Sequence, residues 1–231
     1  MENSLELSGA EARHLSASLR LEIGQSVELF DGSGACAVAL VTHIKKNRIS
    51  LDVQQVFHEP PRSQRRIIIA AAIAKTDRFD GLIGKCTELG VDRICPVRFE
   101  RTVKLAQGPK ISQRYKNLAV AAAKQCRRLH LPVIDPPCSL PQCLAHIMSE
   151  YPRHRIIFGS LDPHAAPLIN VSFDDWDVIA FIGPEGGLTP RETDILGQNN
   201  AQPIRITDTV LRIETAALAA AAILTAQRQS H

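Results

Sequence analysis

Two segments of this 231-residue chain carry residues whose types and spacing suit chemistry. The first, residues 181–192, reads Phe-Ile-Gly-Pro-Glu-Gly-Gly-Leu-Thr-Pro-Arg-Glu. It leaves a buried apolar run, crosses a glycine-rich loop and enters a helix. Gly183, Gly186 and Gly187 let backbone groups approach a ligand closely. The helix start is well specified: Thr189 is the N-cap, Pro190 takes the first helical position, and Glu192 completes a capping box. In α/β sheets ligands bind at the carboxyl ends of strands, where this loop falls. A plain strand-to-helix turn seldom needs three glycines around a Pro-Glu pair. The loop lacks G-x-G-x-x-G, and G-x-x-x-x-G-K-[ST] occurs nowhere in the chain, so neither a dinucleotide fingerprint nor a P-loop is supported. Glu185 would repel a phosphate. A neutral or cationic ligand, held by backbone amides and carbonyls, fits better.

The second segment, residues 206–217, also runs from a strand into a helix. Arg212 and Glu214 flank the expected helix start, near its positive end. Residues 216–222 have almost no side-chain bulk, so the helix can lie close to neighbouring backbone and reads as buried. An Arg and a Glu entering a buried helix are costly unless paired or functional. A structural Arg212–Glu214 salt bridge and a catalytic pair both satisfy that condition.

Charge is unevenly distributed. The net +3 resolves into 0 for residues 1–66, +7 for residues 67–135 and −4 for residues 136–231. The basic middle third includes Arg93, Arg98, Arg101, Lys104, Lys110, Arg114, Lys116, Lys124, Arg127 and Arg128. A local basic surface is the footprint of phosphate backbones; solvated helix faces give the same count.

These segments need elements to position them. The first sixty residues read as β-rich: a helix over 8–19, strands over 27–30, 35–43 and 48–57, and turn residues at 31–34 and 45–47, which suggest a small barrel. Pro60 and Pro61 mark the best boundary, giving domains of 1–62 and 63–231. Beyond it, apolar runs at 66–72, 94–99, 155–158, 178–182 and 203–206 alternate with helical stretches at 79–89, 112–127, 140–148, 190–196 and 215–228. That alternation predicts an α/β domain with a mainly parallel sheet; residues 160–176 read as irregular. Six cysteines without C-x-x-C spacing, and eight histidines without H-E-x-x-H, argue for reduced buried thiols and no metal. The amino terminus has no basic segment followed by an apolar one, and no apolar run is long enough to cross a membrane, so the expectation is a cytoplasmic protein without membrane contact.

Taken together, the two loops resemble the SPOUT superfamily of S-adenosylmethionine-dependent RNA methyltransferases, and more closely the RsmE-type 16S ribosomal RNA uridine-N3 methyltransferases. Residues 182–187 match the family's I-G-P-E-G-G, and Leu211, Arg212, Glu214, Thr215 and Ala216 match its L-R-x-E-T-A. Further blocks agree: Glu88-Leu89-Gly90-Val91, Glu100-Arg101-Thr102 with Lys104, Ala122-Ala123-Lys124-Gln125, and, nearer the start, His14-Leu15, Leu19-Arg20 and Leu29-Phe30-Asp31-Gly32. The match spans nearly the whole chain in order. It departs at residues 206–209, where Ile-Thr-Asp-Thr replaces a glycine-containing L-G-x-R, and at Lys124 and Arg127.

The resemblance implies an α/β SPOUT trefoil-knot methyltransferase domain preceded by a PUA-like β-barrel, acting as a homodimer on 16S rRNA of the small subunit. It implies S-adenosyl-L-methionine as cofactor, held by Gly159, Ile182, Gly183, Pro184, Glu185, Gly186, Gly187, Ile206, Leu211 and Thr215. Arg212 and Glu214 become the catalytic candidates. Glu214 would remove, or orient the group that removes, the uracil N3 proton, and Arg212 would stabilise the charge left on the base or place a phosphate. Arg20, Arg101, Lys104 and Arg128 become RNA-binding candidates. A ribose 2′-O-methyltransferase relative would carry an Asn-Gly and Arg signature early in the domain, and residues 70–78 contain neither Asn nor Gly. A non-catalytic RNA-binding module would have no reason to keep both loops, and the basic middle third argues against a metabolite enzyme.

Overall fold

The computed structural model describes residues 4–17, 21–45, 47–102 and 109–229. The chain divides into two compact units, Met1–Pro61 and Arg62–His231.

The first unit holds β1 (Ser4–Ser8), α1 (Gly9–Ala17), β2 (Ser26–Phe30), β3 (Ala35–Lys45) and β4 (Arg48–His58). All strand pairs are antiparallel, in the order β1-β4-β3-β2. Among the described residues β1 and β2 are the two ends of this sheet. The β2–β3 hairpin turns where expected: Asp31 accepts the Ser33 and Ala35 amides at 2.7 and 3.1 Å, and Gly32 and Gly34 take left-handed backbone, φ 80° and 108°. Hydrogen bonds from Ser33 hold the Asp31 carboxyl below its usual range. Ala12, Ala39, Val41, Ile49 and Leu51 form the core. β1 was not foreseen. Ser4-Leu5-Glu6-Leu7-Ser8 alternates polar and apolar residues, but over only five positions, and pairing along β4 (Leu5 beside Leu51, Leu7 beside Ile49) is what makes them a strand.

The second unit is built on an eight-stranded sheet, all of whose recorded pairings are parallel. Its elements are β5 (Ile67–Ala72), α2 (Thr76–Glu88), β6 (Arg93–Arg98), α3 (Pro109–Cys126), β7 (Val133–Ile134), β8 (Cys138–Ser139), α4 (Leu140–Glu150), β9 (His154–Gly159), β10 (Ala166–Pro167), β11 (Asp177–Ile182), α5 (Pro190–Gln198), β12 (Gln202–Arg205) and α6 (Ile213–Gln229). The order is β10-β12-β9-β11-β5-β6-β7, with β8 also pairing β6. Every residue of β5 and β11 is buried, as the apolar runs 67–72 and 178–182 require of strands covered on both faces, and Asp177 at the head of β11 is buried against Arg66. α6 packs on β5, β11 and α2, and its fully buried Ala217, Ala220 and Ala221 permit that close approach. The stretch read as irregular holds β10 and a short 3-10 turn, Leu168–Asn170. All six cysteines are free, and burial pushes the Cys86 thiol up to about 12.

This order sets up the site. β12, β9 and β11 are neighbours and run the same way, so the loops that leave their carboxyl ends meet. β11 lies between β9 and β5, which brings the start of α2, after β5, beside the same loops.

Candidate active site

Three loops enclose one cleft of about 100 Å³. The loop after β9 contributes Gly159, Ser160 and Leu161; the loop after β11 contributes Ile182, Gly183, Pro184, Glu185, Gly187 and Leu188; the loop after β12 contributes Ile206, Thr207, Thr209, Val210 and Leu211, with Ala216 beyond. Eight of the ten residues expected around a cofactor line it. Gly186 lies within the same loop without lining the cleft, and Thr215, an exposed residue of α6, does not line it either. Ser160, Leu161, Leu188, Thr207, Thr209 and Val210 were not foreseen; their place follows from the strand order.

The glycine loop is built tightly. Gly187 has φ 72°, and its amide donates to the Pro184 carbonyl at 2.8 Å. A Cβ on Gly183 would sit 3.0 Å from the Leu188 side chain, and one on Gly186 would sit 3.3 Å from Arg101 Cδ. The capping box is present: Thr189 Oγ1 accepts the Glu192 amide at 3.3 Å, and Glu192 accepts the Thr189 amide at 2.8 Å. Glu192 is buried, 3% exposed, and also accepts the Glu100 amide at 2.7 Å. One carboxylate therefore ties the turn after β6 to the loop after β11. Arg101, beside Glu100, donates to the Gly186 carbonyl. An arginine expected on RNA thus stands against the glycine loop.

α6 begins at Ile213, between Arg212 and Glu214, as the sequence suggests. The two do not pair. Glu214 is held instead by Arg78, whose Nε lies 3.7 Å from Glu214 Oε1, while Arg78 Nη1 donates to Glu185 Oε1 at 3.3 Å. One guanidinium thereby links an acid of the glycine loop to the acid of the second loop. Glu214 Oε2 is buried and has no hydrogen-bond partner within the described structure. Arg212 is exposed. Arg78 was missed because it is adjacent to neither motif in sequence; only β5 lying beside β11 brings it there.

The basic middle third is not one surface. Arg93 is 3% exposed and bidentate on Asp135 at 2.8 Å, with Glu150 beside it. Arg114 pairs with Asp80. Arg128 is also turned inward: Nη1 donates to the Thr87 carbonyl at 3.0 Å, and Asp92 lies 3.9 Å away. Burial lowers the Arg128 pKa from the usual arginine value. The structure therefore does not bring Arg128 to the cleft. Arg20 and Lys104 lie outside the described residues.

A family model described as the RNA methyltransferase domain matches residues 61–225. The chain belongs to this RNA methyltransferase family. A second model, the RNA methyltransferase PUA domain, matches residues 7–54 of this methyltransferase. Among curated relatives, the ribosomal RNA small subunit methyltransferase E of Rickettsia conorii is 27% identical over 228 residues, covering 96% of this chain and 89% of the relative. Among solved structures, the ribosomal RNA small subunit methyltransferase E of Neisseria gonorrhoeae, bound to S-adenosyl methionine, superposes with a TM-score of 0.86 at 28% identity, covering 96% of this chain and 91% of that one. A Legionella pneumophila methyltransferase in complex with the same cofactor gives 0.84 at 29% identity, covering 96% and 91%. The architecture is accordingly an α/β methyltransferase of SPOUT type preceded by a PUA-like β domain.

Proposed function

We propose that this RNA methyltransferase transfers a methyl group from S-adenosyl-L-methionine to N3 of a uridine in 16S rRNA of the small ribosomal subunit. The observation that carries the reading is the convergence of three strand-end loops on one cleft beside Glu214, which Arg78 holds. The relatives named above support the substrate class.

The residues present fit the cofactor. The cleft is lined by Gly159, Gly183 and Gly187 and by apolar side chains such as Leu161, Ile182, Leu188, Ile206 and Leu211, which suit a largely apolar ligand held closely by backbone amides and carbonyls. Glu185 lines the cleft, so a carboxylate stands beside a bound sulfonium, while Arg78 holds that carboxylate and Glu214 in place. Gly159, Ile182, Gly183, Pro184, Glu185, Gly187, Ile206 and Leu211 would hold the cofactor, with Gly186 and Thr215 supporting the two loops. When bound, it supplies an activated methyl group.

The protein's own part is to place uracil, exclude water and move one proton. Glu214 Oε1 is committed to Arg78, and Oε2 is the unpartnered oxygen that can accept the N3 proton. Arg212, exposed beside it, can meet the negative charge left on the uracil oxygens or a flanking phosphate. Arg101 reaches RNA from the glycine loop, joined by Arg20 and Lys104 on the strength of the family motifs. We assign residues 1–62 to RNA binding and residues 63–231 to methyl transfer, in a homodimer working in the cytoplasm. Among the described residues no helix is long and apolar enough to cross a membrane.

The test is direct. The protein is incubated with methyl-labelled cofactor and small subunits from cells lacking the gene, and the rRNA is digested and analysed by mass spectrometry. Label in 3-methyluridine at one site supports the reading; label on a ribose oxygen, or none, refutes it.

A further inference from the structure

The other end of the same sheet holds a larger cavity, about 270 Å³, near the lower size limit of small-ligand pockets. Trp176, Phe173, Ile169, Arg65, Asp174 and Gln227 contribute to its lining. It opens where strands begin. β11 spans six residues, so this cavity and the methyl-transfer cleft are separated by roughly 20 Å of strand at about 3.3 Å per residue.

Trp176 is the chain's single tryptophan and immediately precedes β11. The register sets Asp177 beside His154 and Val178 beside Arg155. Arg153 and Arg155, two residues apart, fall on one side of the extended chain. Both reach the indole, with guanidinium carbons 5.7 and 4.8 Å from the ring centroid. Both arginines are exposed, and among the described residues neither belongs to an ion pair. Arg65 lines the cavity and donates to the Gln227 carbonyl at 3.4 Å. Their neighbours Arg66 and Arg228 are already committed, to Asp177 and Asp92 at 2.6 and 2.8 Å. The nearby acids are Asp174, which accepts from Ser172 Oγ at 3.0 Å, and the exposed Asp175.

Gln227 adds an unmet need. Its Nε2 donates to the carbonyls of Leu168, Ile169 and Val171 at 3.4, 3.2 and 3.0 Å, whereas its Oε1 is buried without any donor in the described structure. A buried acceptor with no donor in the described structure is a place for an ordered water or a ligand N–H.

An indole, three arginines available for phosphates, and an unpaired acceptor for a base N–H are what an unstacked nucleotide of single-stranded RNA requires. An acidic peptide would use the arginines and leave the indole and the buried acceptor idle. We propose that the amino end of the sheet is a second RNA-contact surface, on which a base seats beside Trp176 while Arg65, Arg153 and Arg155 take the adjoining phosphates. The proposal rests on the reading of this chain as an rRNA enzyme, and it places part of the rRNA grip away from the reacting uridine.

The single tryptophan makes the test specific. Full-length protein is titrated with a short single-stranded RNA of mixed sequence while Trp176 emission is followed, and binding is measured independently by filter retention. The expected result is saturable quenching that tracks retention. R153E/R155E weakens RNA binding at least tenfold and makes the log–log salt slope shallower by about two, with S-adenosylmethionine affinity unchanged. Trp176→Leu weakens RNA binding about tenfold in protein whose circular dichroism matches wild type. RNA bound without change in Trp176 emission overturns the proposal, as does equal affinity in R153E/R155E. Uridine and adenosine monophosphates form a separate arm: saturation by them, with no further gain from RNA, overturns it in favour of a free-nucleotide site. Methylation of small subunits is scored separately. Intact methylation with unchanged KM in R153E/R155E sinks this surface and leaves the proposed reaction standing; quenching without wild-type methylation does the reverse.

Discussion

Glu214 can act only if something fixes one of its oxygens and leaves the other free, and Arg78 does both while also holding Glu185. Glu214→Gln keeps the shape and loses the base. Turnover should fall by at least about a hundredfold, the scale of a lost general base, with cofactor affinity by calorimetry within about twofold of wild type. Arg78→Ala frees both loop acids, so it should lower kcat and weaken cofactor binding together, and Arg78→Lys should recover part of each. An Arg78→Ala enzyme with unchanged kcat and affinity would remove the bridge from the mechanism. Gly183→Ala presses a methyl to 3.0 Å from Leu188, a cleft wall, and should weaken the cofactor about tenfold by calorimetry with little change in melting temperature. At this scale the sequence was legible for residues inside the two motifs, because glycine, capping and charge signals are local. Arg78 and the inward turn of Arg128 were not legible, because each is decided by which strands become neighbours.

Elements carry the next level of control. The capping box of α5 was readable from Thr189, Pro190 and Glu192 alone, yet its second duty was not: Glu192 also accepts the Glu100 amide from across the sheet. Glu192→Ala leaves two amides without their acceptor in a buried place. It should cost about 3 kcal/mol in denaturant unfolding, and Glu192→Gln should recover part of that. A cost below about 0.5 kcal/mol would mean the tie is ornamental. The alternation of strands and helices, and most element boundaries, followed from periodicity and punctuation. β1, β7, β8 and β10 did not, since each is two to five residues long and exists by pairing with a longer strand.

At the scale of the molecule, charge is not where a count along the chain places it. Arg93 and Arg128 of the basic middle third are turned inward onto Asp135, Glu150 and Asp92, and Arg114 is paired with Asp80 at the surface, while Arg65, Arg153 and Arg155, outside any ion pair among the described residues, gather at the amino end of the sheet. The Arg93 hydrogen bond holds the Glu150 carboxyl below the usual carboxylate range. Because the folded pKa is depressed, this contribution is complete above the unfolded value of about 4.3 and is lost as the pH falls through the folded value. Glu150→Gln should therefore flatten the fall in melting temperature on acidification below about pH 4.3; an unchanged acid limb would mean other carboxylates dominate. The central claim, that strand-end loops from three separate parts of the chain build one cofactor cleft, is tested most directly by a crystal grown with S-adenosylmethionine. The account predicts the cofactor between Gly159, the 183–187 loop and the 206–211 loop. Cofactor density elsewhere, or a cleft that stays empty while the cofactor binds in solution, would contradict it.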